Sequence, residues 1–171
     1  MLAIVAATAE AGDRRGQPMT ESQQFDDRLL RIVAGHLQGV LATIAADGRP
    51  QLSNVLYVWD EDEHIARIST TADRVKAVNL RRDPRAALHI SGDHFWQYAV
   101  ADCSVTLSEV ASEPGDEATR ELLAMHSVHY GEQDAEKVFA QLIAARRLVV
   151  RLHVRRLYGV SLDDPPGGSR R

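Results

Sequence analysis

Only one cysteine, Cys103, occurs in the 171 residues, so an intramolecular disulfide is impossible. That fits a reducing compartment, and a cytoplasmic location is expected. No apolar stretch is long enough to span a membrane. The opening Met1-Leu-Ala-Ile-Val-Ala-Ala is only faintly like a secretory leader, because no basic residue precedes it and the run is very short. Neither sign of charge is in large excess. The formal net charge is −4, which gives no overall pull toward nucleic acid or an anionic membrane. Gly-x-Gly-x-x-Gly and Walker loops are missing, which argues against a Rossmann or P-loop nucleotide enzyme. There is no internal repeat and no catalytic triad.

What is there suits one globular domain. Apolar residues make up 44% of the chain and charged residues 26%, enough to bury a real core. Residues 1–24 read as a disordered extension, with Met19 an alternative start that would leave 1–18 untranslated. Residues 25–160 form the domain, and 161–171 a flexible Pro/Gly/Arg tail.

Phe25, Leu29, Ile32, Val33 and Leu37 fall at helical spacing, with Asp26 and Asp27 at the positive end of the helix dipole. A β-like run, Val40 to Ile44, leads to the hairpin signal Asp47-Gly48 and a strand from Gln51 to Trp59. An acidic turn precedes a third strand, His64 to Thr70. A short helix opens at Thr71-Ala72 and stops at Asp83-Pro84, since proline disfavours helical geometry in the residue before it. Strands are expected at Ala86–Ser91 and Trp96–Val110, then one or two helices over 117–145, broken near Gly131. From Leu148 to Val154, apolar residues alternate with Arg147, Val149, Arg151 and His153, which predicts a half-buried strand with a largely basic outer face. The expected fold is mainly β in the α+β class, a six-stranded antiparallel barrel, closed or split, with flanking helices.

The segment Ser69 to Arg85 carries the clearest chemistry. Hydroxyl residues Ser69, Thr70 and Thr71 end a strand and a helix begins at once, so unpaired N–H groups and the helix dipole face one spot that suits phosphate. Arg74 and Lys76 can add charge-assisted bonds there, and Arg81, Arg82 and Arg85 extend the basic stretch. A capped, solvated helix face explains the same pattern on spacing alone.

Leu41-Ala-Thr through Asp47-Gly-Arg-Pro-Gln-Leu-Ser-Asn54, followed by Arg74-x-Lys76-x-x-Asn79-Leu-Arg-Arg-Asp-Pro84, resembles the pyridoxamine-phosphate-oxidase-like split-barrel superfamily. The opening Phe25-Asp-Asp-x-Leu-Leu30, the Trp96-x-Tyr98-Ala-Val100 run and the Arg146-Arg147 pair are similar to its actinobacterial branch that binds coenzyme F420. The resemblance spans about residues 25–160. It implies an FMN-binding-type split barrel and a homodimer with cofactor sites between protomers. It implies a phosphate end held by Arg74, Lys76 and the strand end Ser69, Thr70 and Thr71, and a tricyclic ring near Arg49, Pro50, Gln51, Leu52 and Ser53, with Asn54 and Val75 also among the cofactor-binding residues. Asn79, Trp96 and Tyr98 would line the site. The implied activity is hydride transfer from reduced F420 to an unsaturated or conjugated small-molecule acceptor, with Tyr57, Tyr98, His94 or solvent as proton source. An FMN-dependent oxidase or reductase is the alternative on the same fold, and a non-catalytic deazaflavin or haem binder is the alternative outside enzymology.

Other candidates carry less. His126 and His129 stand at a spacing that can bind metal, but no third ligand follows at motif spacing, so they read as structural or exposed and no metal is expected. Asp60 to Glu63 lacks the glycine and spacing of a calcium loop. Cys103 has no basic neighbour in sequence to activate it.

Overall fold

The computed structural model describes residues 25–161, so the extension 1–24 and the tail beyond its first residue lie outside the described residues. The elements run α1 (Asp27–Gly35), β1 (Gln38–Ile44), β2 (Pro50–Leu56), β3 (Val58–Asp60), β4 (Ile65–Thr71), α2 (Val75–Arg82), β5 (Arg85–Ser91), β6 (Tyr98–Leu107), α3 (Glu117–Tyr130), α4 (Ala135–Ala144) and β7 (Arg147–Val160). All strand pairs are antiparallel, in the order β2-β1-β5-β6-β7-β4-β3.

Seven strands stand where six were expected, because the Gln51–Trp59 run is broken at Tyr57. Its first half pairs with β1 and its second with β4, so the two edges of the sheet are consecutive in the chain. The sheet therefore curls until one bent strand joins both edges, which removes most of the exposed edge. Tyr57 sits at the bend, fully buried; its N–H donates to Leu37 O at 2.9 Å and its hydroxyl to Val33 O at 2.6 Å.

The barrel core is aliphatic: Leu41, Ile68, Leu88, Ile90, Leu148, Val150 and Leu152 are all essentially sealed from solvent. Helix α1 adds Leu29, Ile32 and Val33 to the same cluster. Each such side chain contributes about 1.5–3 kcal/mol on burial. Leu37, expected on the face of α1, lies beyond its end and is exposed, because the helix stops at Gly35. Cys103 is buried, and burial, with Asp102 adding to it, pushes its thiol up to about 12, which makes it chemically inert.

The outer face of β7 is not the basic surface the alternation suggested. Helices α3 and α4 form a hairpin over it, and Val149 is fully buried against Leu122, Met125, Val138 and Leu142 in a second apolar cluster. Arg151 is neutralised by Glu117 and Glu121, and Arg67 of β4 by Asp60 and Glu121. The hairpin thus supplies both the apolar cover and the acids.

The start of α3 depends on Asp116. Its carboxylate accepts from the backbone N–H groups of Ser112, Glu113 and Thr119. Burial disfavours the charge, but these N–H groups outweigh it and hold the acid well below the usual carboxylate range. Asp116→Ala is expected to lower stability by about 1–2 kcal/mol, as for other lost caps, while Asp116→Asn retains much of it. The folded-state pKa is depressed, so this stabilisation is present above the ordinary carboxylate pKa and is lost as pH falls through the folded value. Urea unfolding at neutral and acid pH checks it: wild type and Asp116→Ala should converge in acid, and an equal gap at both pH values would refute the assignment.

Candidate functional site

Strand β4 ends at Thr71 and α2 begins at Val75, so the strand-to-helix junction is present but starts the helix three residues later than the hydroxyl pattern suggested. The delay has a local cause. Thr71 hydrogen-bonds Asp73 through its hydroxyl, and Arg74 N donates to Thr71 O, closing a turn before the helix. Arg74 is the N-cap and no side chain caps the helix, so its first N–H groups stay open to a ligand.

Most of the basic stretch after Lys76 is committed elsewhere. Arg81 donates to Ala72 O at 2.7 Å, Arg82 reaches Ile44 O and Asn79, and Arg85 is paired with Asp83. Lys76 is different. It is half-buried, has no carboxylate partner among the described residues, and its ammonium is pushed below the usual lysine range by burial and by Arg74.

Lys76 borders a cavity of about 490 Å³ between the barrel and the α3–α4 hairpin. Asn54 and Leu56 of β2 and Ser69 of β4 line it from the barrel side, with Arg147 at the start of β7. Arg147 donates from Nη1 to Ser69 Oγ at 2.9 Å and likewise has no carboxylate partner among the described residues. The hairpin contributes the apolar Leu122, Met125, Val138 and Leu142, and the polar edge His126, His129 and Tyr130. His129 is held below the usual histidine range by burial and by His126. Among the described residues no three metal-ligating side chains cluster.

Of the other residues named from the sequence, Gln51, Ser53 and Asn79 are joined by hydrogen bonds. Asn79 is buried and donates to Thr43 Oγ1 at 3.1 Å; Thr43 donates to Gln51 Oε1, and Gln51 donates to Leu52 O and Ser53 Oγ. This chain ties α2 through β1 to β2. Thr70 is buried, and Val75 is exposed on α2. Arg49 and Pro50 are exposed beside the hairpin turn, with Arg49 paired to Asp47. Leu52 points outward.

Trp96 lies in the turn before β6, not on the strand, and is packed edge-to-face on Phe95. Tyr98 opens β6 and stacks on His89, which lines a second groove of about 570 Å³ with His36, Gly39 and the same Asn54–Leu56 segment. Tyr57 is removed as a proton source: its hydroxyl is sealed on Val33 O and burial raises it above the usual tyrosine range. In the sequence His126 and His129 carry a metal-like spacing without a third ligand, and nothing local marks them as pocket residues. Tyr130 and Gln141 gave no signal at all. Only folding of the hairpin brings them opposite Lys76.

A bent antiparallel sheet closing on itself, with a cationic cleft at a strand-to-helix junction, defines a split-barrel protein. Residues 25–161 match the pyridoxamine 5'-phosphate oxidase family, and the chain belongs to that family. It is 38% identical over 69 residues to an F420H(2)-dependent biliverdin reductase of Mycobacterium tuberculosis; the match covers 40% of this chain and 50% of that relative. The chain thus spans half the length of the curated relative it matches. An F420 reductase has a similar structure, with a TM-score of 0.56 at 21% identity, over 71% of this chain and 89% of that one. So does HutZ, a haem storage protein of Vibrio cholerae, with a TM-score of 0.58 at 16% identity, over 78% and 93%. The fold is shared by both, so it does not choose between reduction and storage. No helix among the described residues is long and apolar enough to cross a membrane.

Proposed function

We propose that the protein is an oxidoreductase that binds coenzyme F420 and reduces an unsaturated or conjugated small-molecule acceptor. The observation that carries this reading is Lys76: a half-buried cation at an uncapped helix N-terminus, with no carboxylate partner among the described residues. A charge taken from water without a counter-ion is unfavourable, and a bound phosphate would offset that cost. The relative's named dependence on F420H(2) supports the deazaflavin over FMN.

The residues suit the cofactor. Arg74, Lys76 and the N–H groups that open α2 would hold its phosphate, beside Ser69 and Thr71. Thr70 would act through its backbone, since its side chain is buried. The ring would lie along Arg49 to Asn54, a segment that the Asn79–Thr43–Gln51 hydrogen bonds hold in place. When bound, the deazaflavin supplies the hydride; the chain supplies binding, orientation and exclusion of water.

Fluorescence titration of the protein with F420 and, in parallel, with FMN tests the reading. F420 is expected to bind at least about tenfold tighter, a difference of about 1.4 kcal/mol. A preference for FMN would make this a flavin enzyme, and binding of neither would reject both.

A second copy of the chain is proposed to complete the site. Leu52, Phe95 and Trp96 are 62%, 87% and 56% exposed in the single protomer, apolar side chains that association would cover. Light scattering after gel filtration should give twice the chain mass, and Trp96→Glu should shift it toward one. A wild-type monomer at micromolar concentration would contradict the proposal.

A further inference from the structure

Three guanidinium groups lie on the outer side of the β4–β7 ribbon beneath or beside the α3–α4 hairpin. Arg67 has Asp60 and Glu121, and Arg151 has Glu117 and Glu121. Arg147, which lines the cavity, has among the described residues only the neutral hydroxyl of Ser69. The hairpin therefore neutralises the two guanidiniums it packs on and leaves the cavity one without an acid. A planar fork of N–H donors, already fixed on one side by Ser69, suits a bidentate carboxylate.

The rest of the cavity describes the body of that acid. Leu122, Met125, Val138 and Leu142 form an apolar wall, and Leu56 of β2 adds to the lining from the barrel. His126, His129 and Gln141 are the polar groups the hairpin adds beside Tyr130. His126 Nδ1 is buried with no hydrogen-bond partner, so a proton there would be unsatisfied. Lys76 borders the same cavity, next to the helix N-terminus assigned above to the cofactor phosphate.

We propose that the cavity under the hairpin is the acceptor pocket, and that it takes a planar, conjugated carboxylic acid. Its carboxylate sits on Arg147, and a carbonyl or ring nitrogen faces His126 or His129. This rests on the reading of the protein as an F420-dependent reductase, which provides a reason for two ligands to meet at the β2–α2–β7 junction.

The probe is biliverdin, compared with its dimethyl ester, which keeps the conjugated body and removes the acid. Both are titrated by absorbance into the full chain without cofactor, and F420 affinity is measured separately on the same proteins. Wild type is expected to prefer the acid by at least about tenfold, and Arg147→Gln to abolish that preference. F420 affinity should fall less than biliverdin affinity in Arg147→Gln, because Arg147 reaches the residues assigned to the cofactor phosphate through the Ser69 hydroxyl. His126→Gln should weaken acid and ester alike. Arg147→Lys, which keeps the charge, should retain part of the preference. If Arg147→Gln does not fold, the acid-to-ester ratio of wild type and of Arg147→Lys decides the matter alone. Equal binding of acid and ester, no binding of biliverdin, or loss of F420 rather than biliverdin in Arg147→Gln would each overturn the proposal. Failure of F420 itself to bind wild type would instead reject the reductase reading, while an acid preference centred on Arg147 would still stand.

Discussion

Lys76→Ala is expected to weaken F420 binding by about one to two orders of magnitude, the worth of one charge-assisted hydrogen bond to a phosphate. Three features set that size. The side chain is half-buried, so solvent and salt screen it less than a surface lysine. It has no carboxylate among the described residues to compete with a ligand. It stands in the first turn of α2, where the open N–H groups favour the same anion. Arg74→Ala should cost less, because Arg74 is exposed and Asp73, beside it, remains charged. Burial and Arg74 lower the pKa of Lys76, so the cationic form is lost as pH rises through that lowered value, earlier than for an ordinary lysine. F420 affinity should fall over the same pH range. Fluorescence titrations of both variants across pH and salt measure this. Unchanged affinity in both variants would remove the phosphate from the α2 terminus.

Glu121→Ala is expected to be the most destabilising of the surface-element substitutions, at about 3 kcal/mol. Glu121 Oε1 accepts from Arg67 Nε and Arg151 Nε, each at 3.0 Å, so one carboxylate joins α3 to both β4 and β7. Removing it leaves two guanidiniums, each mostly withdrawn from water, with weaker partners: Arg67 keeps Asp60 and Arg151 keeps Glu117. Deleting one partner of a buried ion pair typically costs about 3–5 kcal/mol, and the partial exposure here puts the value at the lower end. The hydrogen bonds that Arg151 donates to Glu121 hold it above its ordinary pKa, which is the same coupling seen from the cation's side. Urea unfolding gives the number. A loss below about 0.5 kcal/mol would mean the hairpin is held by its apolar cluster alone. Because α3 carries His126, His129 and Tyr130, the variant should also bind ligands of the cavity less tightly.

The strand and helix pattern was largely legible because its signals are local. Period-two alternation marked β7, Asp47-Gly48 marked the first hairpin, and Asp83-Pro84 marked the end of α2. The errors share a cause. Leu37 and Trp96 carry apolar side chains that continue a periodicity past the ends of the elements, so their spacing points to a helix that ends before Leu37 and a strand that begins after Trp96. The β-branched and aromatic run from Gln51 to Trp59 reads as one strand, since nothing local marks Tyr57 as the place where the chain leaves one partner for another. That bend arises from closure of the sheet and the burial of one phenol.

The site divides in the same way. Ser69, Thr71, Arg74 and Lys76 could be named as candidates from sequence because the pattern that suits phosphate at a helix N-terminus is written in nearby residues. The availability of each cation could not, since it depends on which acids folding brings nearby. Arg81, Arg82 and Arg85 look as free as Lys76 in the sequence, yet all three are engaged. Arg147 and Arg151 sit on the same face of one strand, yet the hairpin neutralises only Arg151. The sequence by itself determined an aliphatic antiparallel barrel with a basic strand-to-helix junction, because hydrophobic periodicity and turn chemistry act over a few residues. Only the tertiary structure decided which charges lack partners and which histidines face them, because pairing and desolvation depend on distances between segments far apart in the chain.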